Sequence, residues 1–276
     1  MILDNKPVLN SAQLKQELER LAAQNPNLYA EDGAEGTLDN QAKNVTIHDL
    51  VSQVDPNHAS DHAEAGGAIR DHLTDFIDLM QVYRGAMQEI STKLEILDDE
   101  YHVRYEHNPI HHMERRLKSP QSILGKLMKR GLPLTMEALQ KNIFDIAGIR
   151  VICNYIDDVY AVSRMLSQQS DIEIVEVKDY IAHPKPSGYR SLHVIYRVPV
   201  FLTTGVKTTP VEVQFRTIAM DYWASLEHKL RYKSTLSTDT ISQHSDTLQD
   251  CARTLAQVEK TMQDIHRDIL QATESQ

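Results

Sequence analysis

The stretch PVEVQFRT, residues 210–217, alternates apolar and polar side chains along most of its length. Successive side chains of a β-strand point to opposite faces, so the apolar positions share one face and the polar positions the other. The apolar set is Val211, Val213 and Phe215, and the polar set is Glu212, Gln214 and Arg216. The stretch therefore predicts a strand with one face in the core and a carboxylate, an amide and a guanidinium on the other.

Strand and helix patterns alternate around this stretch. Runs rich in β-branched residues predict strands over 148–156, 172–181 and 191–202, and amphipathic segments predict helices over 119–131, 135–143, 157–169 and 218–233. This alternation predicts an α/β or α+β domain with at least four strands and with helices on the faces of the sheet. The strand order does not follow from the pattern.

Two apolar stripes with alternating spacings of three and four residues flank these elements. The first runs from Ile69 to Tyr101, and the second from Leu255 to Ile269. Such heptad-like spacing predicts long helices that bury one face. The partner of that face is either the chain's own core or another subunit, and the spacing fits both.

Three regions are predicted from these patterns. Residues 1–67 form an N-terminal extension with a short helix over 11–23 and an otherwise mostly disordered course. Residues 68–235 form the central domain, and residues 236–276 form a C-terminal helix that is a candidate for oligomerisation.

Charge is distributed unevenly along the chain. Residues 1–114 carry 8 Lys or Arg against 21 Asp or Glu, whereas residues 115–276 carry 21 against 18. The acidic part argues against general nucleic-acid binding, and an anionic ligand is expected among the basic clusters of the second part. Two cysteines, no apolar run of 18 residues and no signal-peptide pattern favour reduced thiols in the cytoplasm and no membrane span.

A second carboxylate stands before the predicted strand at 148–156. It is Asp145, in the segment DIAGIR, residues 145–150. Mg²⁺ takes oxygen ligands, usually one or two carboxylates together with phosphate oxygens, so Asp145 and Glu212 are candidate ligands. Glu212 is also a candidate general base. Each residue taken alone fits a cap or a solvated strand face as well.

A basic cluster lies in RRLKSPQSILGKLMKRG, residues 115–131. Its members are Arg116, Lys118, Ser122 and Lys126. Ser119 and Pro120 predict a helix start, which places Ser122 and Lys126 on one helical face. Cations and a hydroxyl near a helix N-terminus suit a polyphosphate, although a solvated basic face has the same composition. No GxxxxGK[ST] motif occurs, so side chains and metal rather than a P-loop would hold a nucleotide.

The segment KPSGYRSLH, residues 185–193, joins a predicted turn to a strand. Tyr189 offers a flat face for a base. Lys185, Arg190 and His193 can reach phosphate or sugar groups. Plain packing of the ring and a buried imidazole are the simpler explanations of each residue. The four segments together favour a site for two nucleotides.

Four segments resemble, in order, the synthetase motifs of the RelA/SpoT-type alarmone synthetases: RLKSPQSILGK, DIAGIR, KPSGYRSLH and VEVQFRT. The segment DYWASLEHKLRYK resembles the end of the same region, so the resemblance covers about residues 85–235. The hydrolase and regulatory domains have no counterpart in the sequence. The resemblance is therefore to the small alarmone synthetases, especially the RelQ-like branch.

The resemblance implies an α+β fold, a nucleotidyltransferase-palm-like domain with a mixed β-sheet flanked by helices and with long terminal helices. It implies transfer of the β,γ-pyrophosphate of ATP to the 3′-OH of GDP or GTP, with Mg²⁺ as cofactor and without alarmone hydrolysis. It also implies a cytoplasmic homotetramer, with (p)ppGpp as a candidate allosteric ligand. Neither a membrane nor a nucleic acid is required.

Residue roles follow from the same resemblance. For ATP it implies five contact residues: Arg116 and Arg150 around the adenine, and Lys118, Ser122 and Lys126 at the phosphates. For GDP or GTP it implies Lys185, Tyr189, His193 and Gln214, with the Tyr189 ring stacked on guanine. Glu212 would activate the 3′-OH and share the metal with Asp145. Position 187 is Ser where many relatives carry Asn, so one acceptor-side contact stays open.

Two other functions fit the same residues. One is a toxin-like pyrophosphokinase with the same donor site and the 3′ end of tRNA as acceptor. The other is a non-catalytic nucleotide- or RNA-binding module, which loss of either carboxylate or of Tyr189 would favour; all three residues are present.

Overall fold

The computed structural model of the chain describes residues 62–105, 107–233 and 244–274. The helix predicted over 11–23 and most of the predicted N-terminal extension lie outside these residues. Residues 62–67 belong to a long helix that begins at His62. The first long helix therefore begins before residue 68, where the sequence predicted the central domain to begin.

The elements, in chain order, are α1 (His62–Arg104), β1 (Ile110–Leu117), α2 (Pro120–Lys129), α3 (Met136–Asn142), β2 (Ala147–Cys153), α4 (Ile156–Ser167), β3 (Glu173–Asp179), β4 (Leu192–Leu202), β5 (Gly205–Thr217), α5 (Ile218–Lys233) and α6 (Ser245–Glu274).

The described strands form one mixed sheet in the order β1-β2-β5-β4-β3. β2 pairs with β5 in parallel, and β4 pairs antiparallel with both β5 and β3. β5 carries the stretch 210–217 and lies in the middle of the sheet. The prediction of a mixed β-sheet flanked by helices is confirmed.

Strand β1 was not predicted. Its sequence IHHMERRL is mostly polar, and its side chains are largely exposed. An edge strand with few buried side chains lacks the apolar alternation on which a strand prediction depends. β5 also begins at Gly205 rather than at residue 210, because β4 and β5 form a continuous hairpin whose pairing reaches Leu202 and Gly205.

The chain divides into two compact units. The first unit contains Leu117–Ile146 and the chain up to Gly85; the second contains Ala86–Arg116 and the chain from Ala147 onward. In the first unit α2 and α3 bury Ile123, Leu127 and Leu139. In the second unit Val151, Val213 and Phe215 are fully buried, so the apolar face of β5 lies in the core as predicted.

The two predicted helical stripes differ in burial. On α1, Met80, Tyr83, Ile90 and Leu94 are buried within the chain. On α6 the stripe is half exposed: Val258 56%, Met262 50%, Ile265 47% and Ile269 59%. The face of α6 that packs on its own unit instead carries Ala252, Glu259 and Gln263. Among the residues whose burial is described, the middle of the α1 stripe is thus covered, whereas the α6 stripe is half exposed.

Among the described helices, none has the length and apolarity that a membrane span requires.

Candidate active site

The polar face of β5 forms the centre of a hydrogen-bonded ring. Glu212, Gln214 and Arg216 share this face, as the alternation predicted, and β4 places His193 beside Gln214 in the strand register. The chain before β4 supplies Tyr189. Five side chains from three short segments therefore meet at one place in the second unit.

The ring closes through five hydrogen bonds. Gln214 Nε2 donates to Glu212 Oε2 at 2.9 Å, and Arg216 Nη2 donates to Gln214 Oε1 at 2.9 Å and to the Tyr189 hydroxyl at 2.7 Å. The Tyr189 hydroxyl and His193 Nε2 are 2.7 Å apart, and His193 Nδ1 and Glu212 Oε1 are 3.2 Å apart. Both carboxylate oxygens of Glu212 are thereby oriented by a neighbour.

The donors around this ring can be assigned from chemistry. A guanidinium only donates, so the Tyr189 oxygen accepts from Arg216 and its single proton is available for His193. His193 Nε2 then accepts, and Nδ1–H donates to Glu212. This tautomer gives the carboxylate of Glu212 two donors, which fix its orientation.

Arg216 anchors the ring and was not among the predicted site residues. Its side chain is 7% exposed, and its Nη1 donates to Asp221 at 2.9 Å. Asp221, one turn into α5, is also 3.5 Å from the Arg150 guanidinium. The position of Arg216 on the polar face of β5 was visible in the sequence, whereas its partners were not. Asp221 lies in no sequence motif that could have identified it as a partner of Arg216.

The loop before β4, residues 185–190, is a closed turn. Gly188 N donates to Lys185 O at 2.8 Å, and Lys185 N donates to Tyr189 O at 3.1 Å. Gly188 has a φ of 90°, a left-handed conformation that suits glycine. The Ser187 hydroxyl accepts from Tyr189 N at 3.4 Å. Ser187 thus contributes to the turn, as an asparagine side chain also can.

The Tyr189 ring is half-buried and lies beside cations. The Lys185 ammonium is 4.8 Å from the ring centroid, and the Arg216 guanidinium is 5.3 Å from it. Tyr180 meets both Tyr189 and His193 edge to face. All four predicted acceptor-side residues, Lys185, Tyr189, His193 and Gln214, are thereby brought together around Glu212.

The two predicted adenine contacts lie on adjacent strands. Arg116 is exposed on β1, and Arg150 lies on β2 beside Gln214 in the register. Arg150 Nη1 donates to Glu114 at 2.7 Å, and its buried Nε has no partner among the described residues. The two arginines are close along the sheet, but the structure shows no contact between their side chains.

The first unit holds a second charged cluster. Lys118 Nζ and Lys126 Nζ both donate to Asp145 Oδ2, at 2.5 and 2.6 Å. Lys126 reaches Asp145 from α2, whose start is capped as predicted: the Ser119 side chain accepts from Ser122 N, and Pro120 occupies the first turn. Ser122 lies on the same helix with its hydroxyl 2.9 Å from that of Ser119. Three of the predicted residues, Lys118, Lys126 and Asp145, are therefore in contact.

The charge state of Asp145 follows from its neighbours. Burial alone would raise the pKa of this carboxyl, but the hydrogen bonds and charges of Lys118 and Lys126 outweigh burial, so its pKa lies below the ordinary value. Asp145 is therefore ionised at neutral pH. Its second oxygen, Oδ1, is buried and has no hydrogen-bond partner within the described part of the chain.

The Asp145 cluster fits a hard divalent cation that also binds phosphate. An ionised carboxylate with one unpaired buried oxygen is a suitable oxygen ligand. In residues 62–105, 107–233 and 244–274 no group of three or more His, Cys, Asp or Glu side chains could hold a metal alone. A metal at Asp145 would accordingly need ligands from the substrate or water.

Comparison with known proteins identifies the family of this chain. Residues 115–237 match the family model described as a region found in RelA / SpoT proteins. The chain is 44% identical over 197 residues to the GTP pyrophosphokinase YwaC of Bacillus subtilis. The aligned region covers 71% of this chain and 93% of that relative.

Solved structures of small alarmone synthetases resemble this protein. The small alarmone synthetase 2 from Bacillus subtilis is 43% identical, with a TM-score of 0.60 over 68% of this chain and 97% of that one. The small alarmone synthetase 1 from the same organism, bound to its product pppGpp, is 32% identical, with a TM-score of 0.64 over 71% of this chain and 99% of that one. Placement in the RelQ-like branch stays a prediction. The chain belongs to the small alarmone synthetases of the RelA/SpoT family.

Proposed function

We propose that this protein is a GTP pyrophosphokinase that makes (p)ppGpp from ATP and GDP or GTP. The observation that carries the proposal is the ring around Glu212, in which an oriented carboxylate stands beside an aromatic ring and two cationic side chains. Relatives named for this activity and a structure bound to pppGpp support it.

The acceptor nucleotide is assigned to the second unit. The loop 185–190, called the acceptor loop from here on, offers the Tyr189 ring to guanine. Lys185 now lies over the rings of Tyr180 and Tyr189, at 4.4 and 4.8 Å. It is a long and exposed side chain that can turn to the phosphates of the nucleotide while a base occupies the ring face. His193 and Gln214 hold Glu212 toward the ribose.

The donor ATP is assigned to the basic residues of β1, β2 and α2. Lys118, Ser122 and Lys126 bind its phosphates, and Arg116 and Arg150 hold the adenine. Lys118 and Lys126 pair with Asp145. A Mg²⁺ held by Asp145 would neutralise phosphate charge. Glu212 as a second metal ligand stays a prediction from the sequence.

The proposed reaction is a displacement at the β-phosphorus of ATP. Glu212 accepts the proton of the 3′-hydroxyl, and the 3′-oxygen forms a bond to the β-phosphorus of ATP. The bond between this phosphorus and the α,β-bridging oxygen breaks, and AMP leaves with that oxygen. Lys118 and Lys126 offset negative charge on the transferred group, so positioning and electrostatics provide most of the rate enhancement.

Assembly and location are part of the same proposal. The half-exposed stripe of α6 supports a homotetramer in which this stripe meets another copy. Such an assembly could bind (p)ppGpp as a regulator, and the enzyme would act in the cytoplasm, where its nucleotide substrates are made. No alarmone hydrolysis is expected.

The test is incubation of the purified chain with γ-labelled ATP, Mg²⁺ and one acceptor: GDP, GTP or deacylated tRNA. Labelled ppGpp or pppGpp together with an equal amount of AMP is the expected result. Label on the tRNA would identify the toxin-like alternative, and no transfer to any acceptor would favour a binding module. A reaction without Mg²⁺ checks the cofactor.

A further inference from the structure

Helix α6 forms one wall of the acceptor loop. Gln249 Nε2 donates to Pro186 O at 2.7 Å. A Cβ placed on Gly188 would lie only 2.6 Å from the Cβ of Ala252, so the loop backbone and the helix are in close contact. Tyr189 packs against the cluster of Trp223, Ala224 and Ala252. The loop therefore depends on a helix that lies beyond the matched family region, residues 115–237.

Glu259 is a buried carboxylate on this helix. The residue is 7% exposed, and Glu259 Oε2 accepts from Arg190 Nη1 at 3.0 Å. Its other oxygen accepts from the Thr217 hydroxyl. That hydroxyl also accepts from Met220 N at 3.2 Å and so caps the start of α5. Glu259 thus connects α6 with the end of the acceptor loop and with the end of β5.

The burial of Glu259 is unfavourable for an ionised group. Desolvation raises the pKa of this carboxyl even though Thr217 and Arg190 hydrogen-bond to it and Arg190 also attracts it. Well-packed apolar residues often replace such a buried pair without loss of stability. Packing of α6 therefore does not require a carboxylate here. The contact that does require an acceptor oxygen here is the one with Arg190.

Arg190 follows Tyr189 directly in the chain, so a fixed Arg190 side chain also limits the movement of the backbone that presents the Tyr189 ring. A loop that is ordered before binding loses less conformational entropy when its ligand arrives. Arg190 is itself 18% exposed and paired with Glu259.

We propose that Glu259 is a positioning residue for the acceptor nucleotide, acting through Arg190 on the acceptor loop. The inference rests on the proposed assignment of this loop to GDP or GTP. It gives the C-terminal helix a part in substrate binding, in addition to its exposed apolar stripe.

The test compares Glu259→Ala and Glu259→Gln in the full chain by initial rates. Glu259→Ala should raise the KM for GDP about 10-fold, because the arginine loses its partner. Glu259→Gln keeps an acceptor for Arg190 and a donor for Thr217, so it should stay close to wild type. The KM for ATP should be unchanged in both variants. Asp268→Ala, which removes an exposed carboxylate from the same helix, is the matched control.

Arg190 provides an independent check. Arg190→Ala should raise the KM for GDP to a similar extent, and the double variant Arg190→Ala, Glu259→Ala should resemble either single variant. Multiplied effects in the double variant would contradict an action through Arg190. If circular dichroism shows that Glu259→Ala does not fold, Arg190→Ala decides alone: an unchanged KM for GDP overturns the proposal.

Tyr189→Ala separates this inference from the proposed function. If Tyr189→Ala raises the KM for GDP and Glu259→Ala does not, the positioning role is wrong and the acceptor assignment stands. If neither variant raises it, the assignment fails and the inference with it. An equal rise in the KM for ATP and GDP in Glu259→Ala would indicate a general folding defect and would also overturn the proposal.

Discussion

At the scale of single residues, the chemistry depends on two carboxylates in different settings. Glu212 is oriented by hydrogen bonds from His193 and Gln214. Asp145 is held by two ammonium groups, from Lys118 and Lys126. These two ammonium groups hold the pKa of Asp145 below its ordinary value. The first setting suits a base, and the second suits a metal ligand.

Replacing Glu212 by Gln tests the base. The amide preserves size and one acceptor oxygen but cannot take the hydroxyl proton, so kcat should fall on the order of 10²-fold or more. Calorimetric ATP binding should remain close to wild type. Glu173→Gln, at an exposed carboxylate of β3, should have no effect on turnover. Near-wild-type turnover of Glu212→Gln would remove Glu212 from the mechanism.

Replacing Asp145 by Ala tests the metal ligand. The substitution leaves Lys118 and Lys126 without their shared partner and removes a carboxylate oxygen from the proposed Mg²⁺ site, so Mg²⁺-dependent activity should be abolished. Activity is measured across a Mg²⁺ titration, with Glu137→Ala on α3 as an exposed control. Retained activity with an unchanged Mg²⁺ midpoint would show that Asp145 is only structural.

At the scale of elements, polar residues of α6 attach this helix to the start of α4. Arg267 makes a bidentate ion pair with Asp157 at the start of α4: its Nε and Nη2 each donate to one carboxylate oxygen at 2.8 Å. Near it, His266 stacks on Tyr155 at 4.2 Å and lies 4.6 Å from the His107 ring, which contacts Asp158. Because histidine and aspartate side chains form these contacts, the attachment of α6 is expected to depend on pH.

Acid should loosen this attachment. Burial and the neighbouring His107 lower the pKa of His266 below 6.5, although Asp158 and Asp157 act in the opposite direction. The unfolded chain then takes up the proton first, so stability is full above pH 6.5 and is lost as the pH falls toward the folded-state pKa. The pKa of Asp158 is raised, chiefly by burial. The folded chain therefore binds this proton before the unfolded chain does, so the contribution of Asp158 to stability increases as the pH falls.

The variant His266→Phe isolates this effect, because it keeps an aromatic ring for Tyr155 and cannot be protonated. Thermal unfolding is measured at pH 7.5 and pH 5.5 for both proteins. The wild type should lose more thermal stability than the variant between these two values. An equal loss in both proteins would show that His266 does not contribute.

At the scale of the whole molecule, the proposed assembly depends on the exposed stripe of α6. Met262→Glu places a charge in the middle of this stripe, and burying it against another copy would be costly. Light scattering should show an oligomer for the wild type, a tetramer if the family resemblance holds, and a smaller species for the variant. Gln257→Glu adds the same charge at an exposed position off the stripe and should leave the mass unchanged. A monomeric, fully active wild type would contradict the proposal.

Local pattern was sufficient for much of this protein. The alternation over 210–217 predicted both faces of β5, and Ser119 with Pro120 predicted the start of α2. The motif segments also contained every predicted acceptor-side residue. These features depend on neighbours in sequence: side-chain alternation along a strand, capping of a helix and turn formation at Gly188.

Tertiary structure decided the rest. The exposed strand β1, the parallel pairing of β2 with β5 and the ring from Tyr189 to Arg216 arise from contacts between distant segments, which no local spacing encodes. Periodicity showed that α6 has an apolar stripe, but not that its own unit would cover Glu259 and Gln263 and leave Met262 exposed. The physical reason is that a helix offers several faces at once, and the face that is buried depends on the surface it meets. Here that surface presents Arg190, Thr217 and Asp157, which are better partners for polar groups than for methyl groups.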